Sequence, residues 1–78
     1  MILTAQDIED KLKEQLEGVV SVTATDLKGG NHWGVAIQAS DFNGLNRVKQ
    51  QQLVYKVLAD ELADETIHAL TIQAKGTE

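Results

Sequence analysis

The chain has 78 residues, no cysteine, no proline and three aromatic residues, Trp33, Phe42 and Tyr55. Seven basic residues against twelve acidic ones leave a net charge of −5. That balance disfavours nucleic-acid binding, which rests on Lys/Arg contacts to phosphate, and suits solubility or a basic partner. One domain spanning residues 1–78 is expected, burying about 60–65% of its unfolded surface around a mostly aliphatic core. No disulfide can staple it and no thiolate can ligate a metal. Neither a basic-then-apolar leader nor an apolar run approaching ~18 residues is seen, so the expectation is a soluble cytoplasmic protein.

Met1 to Leu16 reads as the first helix. Thr4 is a good N-cap, Asp7 completes a capping box, and Leu3 and Ile8 are placed as a staple across it. Ile8, Leu12 and Leu16 form a narrow apolar stripe. Glu9 and Lys13 add an acid-before-base pair at i, i+4. Gly18 is the natural stop.

Val19 to Asp26 alternates, with Val20, Val22 and Ala24 on one face and Ser21, Thr23 and Thr25 on the other. Leu27 to Asn31 is rich in turn residues. Trp33, Val35, Ile37 and Ala39 then alternate with Gly34, Ala36 and Gln38, giving a second strand and an antiparallel hairpin. On this phasing His32 points away from the Trp33 face. Phe42, alone in the polar loop Ser40–Gly44, is expected to plug one end of the core.

From Leu45 the helical pattern returns. Leu45, Val48, Tyr55, Leu58 and Leu62 keep rough helical spacing, with Val54 and Val57 alongside. Gln50, Gln51 and Gln52 interrupt the stripe, and a kink or break is placed near Leu58 to Asp60. Asp60, Glu61, Asp64 and Glu65 read as a solvated acidic face. Ile67 to Lys75 alternates as a last strand, with His68, Leu70, Ile72 and Ala74 on one side. Gly76 to Glu78 is expected to fray. The order αββααβ implies an α+β fold: a three-stranded mixed sheet with its helices on one face.

Two histidines are the candidates for chemistry. His32 follows Gly-Gly-Asn in a loop. It reads either as a metal or cluster ligand or a pH-sensitive contact, or as a loop-edge side chain that caps a backbone group. His68 sits where helix hands over to strand. It reads either as a core-edge residue bonded to backbone, or as an imidazole presented to a ligand. The two could meet if the hairpin loop lies beside the start of the last strand. Structural zinc wants four protein ligands and catalytic zinc usually three. An iron–sulfur cluster wants four in all, mostly thiolates, although two histidines on one iron are the Rieske variation. With no cysteine here, any cluster would sit at an interface with a thiol-bearing partner.

Other chemistry has little support. Ser21 and Ser40 have no histidine at a suggestive spacing, and Gly29-Gly30 is too short for a phosphate-binding fingerprint. Lys28, Arg47, Lys49 and Lys56 could form a basic patch, although Arg47 and Lys49 diverge on a helix.

Three blocks between Val20 and Ala74 resemble the BolA family: His32-Trp33, then Ser40-Asp41-Phe42-Asn43-Gly44 followed by Arg47 to Tyr55, then Ile67-His68-Ala69-Leu70-Thr71-Ile72. The Arg47-Val48-Lys49-Gln50-Gln51-Gln52 run matches the subgroup with an Arg-Val-Lys-x-Gln-Gln helix. The resemblance implies a fold similar to class II KH domains. It also implies a non-enzymatic role beside a monothiol glutaredoxin, in assembling, trafficking or sensing [2Fe-2S] clusters. In such complexes the glutaredoxin gives one cysteine and glutathione a second thiolate, and the BolA-like protein supplies the rest. His68 matches the family's C-terminal histidine ligand. The family's second ligand falls near Gly29 to Asn31, where no ligating side chain stands, so either His32 substitutes or His68 acts alone. Arg47, Lys49 and Trp33 are the residues expected to bind the partner, and a homodimer is a further possibility. The acidic-aromatic tail common in the family is missing. The competing implication is a nucleic-acid-binding transcriptional regulator of the stress response, although Gly44-Leu45-Asn46-Arg47 is not a KH G-x-x-G loop. A stress protein sensing pH through its histidines fits either reading.

Overall fold

A computed structural model describes residues 3–29 and 31–78. Met1 and Ile2, the start of the expected first helix, and Gly30 of the hairpin turn lie outside the described residues. The first helix, α1, spans Ala5–Gln15. Thr4 caps it: its Oγ1 accepts from the Asp7 N–H at 3.1 Å, while the Asp7 carboxylate accepts from the Thr4 N–H at 3.0 Å. Two backbone donors that the helix leaves without partners are thereby satisfied. Ile8, Leu12 and Leu16 are buried, and Leu3 is half-buried against them. The expected Glu9–Lys13 pair is replaced by something else. The Glu9 carboxylate accepts from the backbone N–H of Ala24 at 3.0 Å, tying α1 to the first strand.

Gly18 does more than stop a helix. Its φ is +65°, and a Cβ there would overlap the side chain of Ser40. Its carbonyl accepts from the Ser40 N–H at 3.1 Å. Glycine is needed because the chain must turn left-handed and touch another backbone in the same place.

Strand β1 spans Val19–Lys28 and β2 spans His32–Ala39. They pair antiparallel, with register shifts between Val19 and Ser21 and between Asp26 and Lys28. The first shift corrects the simple alternation. An extra residue at the bulge turns Val20 outward, 67% exposed, while Val19, Val22 and Ala24 face the helices. On β2 the alternation holds: Trp33, Val35, Ile37 and Ala39 are buried.

A 3₁₀ turn at Ser40–Phe42 follows, and Phe42 is fully buried as the plug. Asn46 then caps α2, Arg47–Val57, its side chain accepting from the Lys49 N–H at 2.9 Å. The chain breaks at Leu58 and resumes as α3, Ala59–Ala63. Val54 and Leu58 are buried and Leu53, Val57 and Leu62 pack beside them, but Val48 and Tyr55 are exposed. Those two stand seven residues apart, on the outer side of the same helix. The acidic face also needs correction at one place. Glu61 is half-buried and holds Lys11 of α1 at 2.8 and 3.0 Å.

Strand β3, Ala69–Lys75, pairs parallel to β2, giving a mixed sheet in the order β1-β2-β3. The tail is held rather than frayed: the Asn43 carboxamide accepts from the N–H of Thr77 at 2.7 Å and of Glu78 at 3.2 Å. Helices from α1, α2 and α3 cover one face of the sheet, and the core lies between the layers. Among the described residues no helix is long and apolar enough to cross a membrane.

Candidate functional site

Register places the two histidines together. Burying Trp33, Val35 and Ile37 on β2 requires that their β3 partners, Leu70, Ile72 and Ala74, share the inward face. A slip of one residue would turn every one of them outward. In this register His32 stands opposite Ala69, so His68 arrives beside the mouth of β2. The carbonyl of Asn31 then accepts from the His68 N–H at 2.7 Å and from the Ala69 N–H at 3.2 Å. That shared acceptor pins the hairpin loop to the entrance of the last strand.

The two imidazoles stack there, with ring centroids 5.7 Å apart and planes 13° from parallel. His32 is half-buried and His68 is exposed. The expected side for His68 was that of Leu70 and Ile72, but the strand does not begin until Ala69. Ahead of it the Ile67 N–H bonds to the Glu61 carbonyl at 3.0 Å, which sends Ile67 into the core and His68 out to solvent. His32 takes the expected direction, away from the buried Trp33 face.

The remaining expected site residues are not part of this pair. Trp33 is 3% exposed, so its side chain is a core element and offers a partner almost no surface. Arg47 and Lys49 are exposed at the start of α2. Arg47 lies beside Ile72, Gln73 and Ala74. At ~3.3 Å per strand residue, that places it on the order of 13–20 Å along β3 from His68. Lys28, by contrast, stands opposite His32 in the β1–β2 register, which puts its cation at the histidine end. A groove of about 650 Å³ between α1 and α3 is lined by Asp7, Asp10, Glu14, Glu61 and Asp64 with Lys11, and holds no imidazole. At its rim the Asp64 carboxyl sits below the usual aspartate range because the Thr66 side chain and backbone N–H donate to it.

The donor set fits half of a metal cluster. Two imidazoles can each give one neutral nitrogen, and two histidines on one iron are chemically sufficient for that side. Among the described residues no group of three His, Cys, Asp or Glu stands close enough to hold a metal ion.

The sequence belongs to the BolA-like protein family, whose model matches residues 7–78. It is 35% identical to the acid stress protein IbaG of Escherichia coli over 66 residues, 83% of this chain and 79% of that one. It is 33% identical to mouse BolA-like protein 1, covering 91% of this chain and 59% of that protein. Among solved structures, BolA1 from Arabidopsis thaliana superposes with a TM-score of 0.82 at 35% identity, covering 94% and 90% of the two chains. The BolA domain of SufE1 from the same plant gives 0.83 at 31%, covering 94% and 91%.

Proposed function

We propose that this protein is a non-enzymatic adaptor that partners a monothiol glutaredoxin and helps ligate a shared [2Fe-2S] cluster. The observation that carries this reading is the stacked pair His32–His68 at the open end of β2 and β3, with His68 exposed. His68 is the principal ligand and His32 the second. Bound there, the cluster would supply redox-active iron whose lability the imidazoles set. The chain's own contribution is positional. The Asn31 carbonyl fixes the backbone of His68, and the strand register fixes that of His32, so both positions are set before a partner arrives. Because the chain has no cysteine, the thiolates come from the partner and glutathione. Lys28 beside the pair and the exposed cations Arg47 and Lys49 on α2 are where an acidic partner surface would meet this chain.

The test is co-reconstitution with a monothiol glutaredoxin, glutathione, iron and sulfide, followed by visible absorption and circular dichroism. The mixture should give a spectrum distinct from that of the glutaredoxin alone. His68→Ala should abolish the difference without unfolding the protein, since an exposed substitution shifts stability by only about ±0.5 kcal/mol. His32→Ala should leave a spectrum that bleaches faster. An unchanged spectrum and lifetime in His68→Ala would refute the ligand assignment.

A further inference from the structure

The two edges of the sheet are finished differently. On the outer edge of β1 the Ala24 N–H is capped by Glu9, and a register shift interrupts each end of the strand. Both devices blunt an edge against pairing with another chain. The outer edge of β3 has neither. Its register with β2 runs unbroken through seven pairs, His32↔Ala69 to Gln38↔Lys75.

Which groups face outward follows from one hydrogen bond. The Ala69 N–H donates to Asn31 on the β2 side. In a parallel ladder the N–H and C=O of one residue point the same way and alternate along the strand. Ala69, Thr71, Gln73 and Lys75 therefore face β2, and Leu70, Ile72 and Ala74 turn their N–H and C=O groups away from it. Those three donors make no hydrogen bond to any described residue. They are a row of vacant positions at the two-residue spacing that an added strand needs.

Beside this edge lies a groove of about 420 Å³, lined by Ile72, Gln73 and Ala74 with Arg47, Gln50 and Gln51 of α2. Gln50 is committed to the loop, donating to the carbonyls of Phe42 and Leu45 at 3.2 and 3.1 Å. Arg47 is exposed and forms no ion pair with a described residue, although the chain carries twelve acidic side chains. Its guanidinium is left for a carboxylate from outside, and Arg is suited to bind one through two parallel hydrogen bonds. The edge ends where Asn43 holds Thr77 and Glu78, which confines an added strand to the length of β3.

We propose that the outer edge of β3 takes an extended segment of another protein by strand addition, with an acidic side chain of that segment seated on Arg47. A second copy of this chain is the poorer occupant. Two β3 strands paired antiparallel about a twofold axis near Ile72 would bring two Arg47 side chains together. The surface needs neither the histidine pair nor iron, so it stands or falls apart from the cluster reading.

The probe is an end-capped heptapeptide alternating valine and threonine with a central glutamate, titrated to millimolar concentration and followed by amide NMR and hydrogen exchange. The amides of Leu70, Ile72 and Ala74 should slow several-fold, while those of Thr71 and Gln73, already in the ladder, should not change. Arg47→Gln, or a lysine in place of the central glutamate, should weaken binding by about three- to fivefold. His68→Ala should bind the peptide as the parent does. No slowing at Leu70, Ile72 and Ala74, or binding at the β1 edge instead, would overturn the proposal. So would equal binding of the glutamate and lysine peptides. Slowing of the same three amides with protein concentration alone would assign the edge to a second copy.

Discussion

At the scale of single residues, Asp64 shows how little geometry is needed to make a side chain pH-sensitive. It is fully exposed, yet its carboxylate accepts from the Thr66 N–H at 2.9 Å and its carboxyl is held below the ordinary value of 3.8. A carboxyl lowered in the folded state contributes stability that is present above its unfolded value and is lost as pH falls through its folded value. Asp64→Asn should therefore be less stable than the parent by a margin that is constant above about pH 5 and narrows below about pH 4. Urea denaturation at pH 7 and pH 3 measures the narrowing; a gap that widens in acid would show that folding raises the Asp64 carboxyl instead of lowering it. The sequence placed Asp64 on a solvated face but gave no sign of the Thr66 contact, because an Asx turn depends on the backbone conformation after the helix. The histidines show the same limit. Each was a visible candidate, but their stacking depends on the Asn31 carbonyl holding both His68 and Ala69, a contact between segments 37 and 38 residues apart.

At the scale of elements, periodicity located all three strands and the helices because burial imposes a period of two or 3.6. It failed where the backbone departs from that period. Val20 faces out because a bulge adds a residue to β1. His68 faces out because β3 starts at Ala69, two residues later than the alternation placed it. On α2 the apolar spacing grouped Val48 and Tyr55 with Leu58, whereas Leu58 is buried beside Val54 and the other two are exposed. The stripe had two solutions differing by a rotation of the helix, and only packing on β3 chooses between them. The contrast is measurable. Leu58→Ala removes a fully buried side chain from the α2–α3 junction and should cost about 2–5 kcal/mol. Val48→Gln should change stability by no more than about 0.5 kcal/mol. In a domain with a total near 5–15 kcal/mol, the first change should shift the urea midpoint sharply or unfold the chain. Equal effects from the two substitutions would mean that α2 presents its other face to the sheet.

At the scale of the whole molecule, charge separates the adaptor from the nucleic-acid regulator. The net charge of −5 creates a field that repels phosphate at a distance, and only a concentrated basic patch could overcome it. The seven cations are not concentrated. Lys11 is bound to Glu61, Lys28 stands at the hairpin end by His32, and Arg47 lies by Ile72–Ala74 on the other half of the sheet. Helix α2 alone carries three cations and no acid, Arg47, Lys49 and Lys56, too few for tight binding to a duplex. Each phosphate contact contributes a slope of about −0.9 to log K against log salt, so binding built on two or three contacts collapses quickly as salt rises. A gel-shift titration with duplex DNA should show weak retention at low salt that vanishes by about 150 mM, with no preference among sequences. Retention that persisted at that salt and favoured one sequence would favour the nucleic-acid regulator over the proposed adaptor.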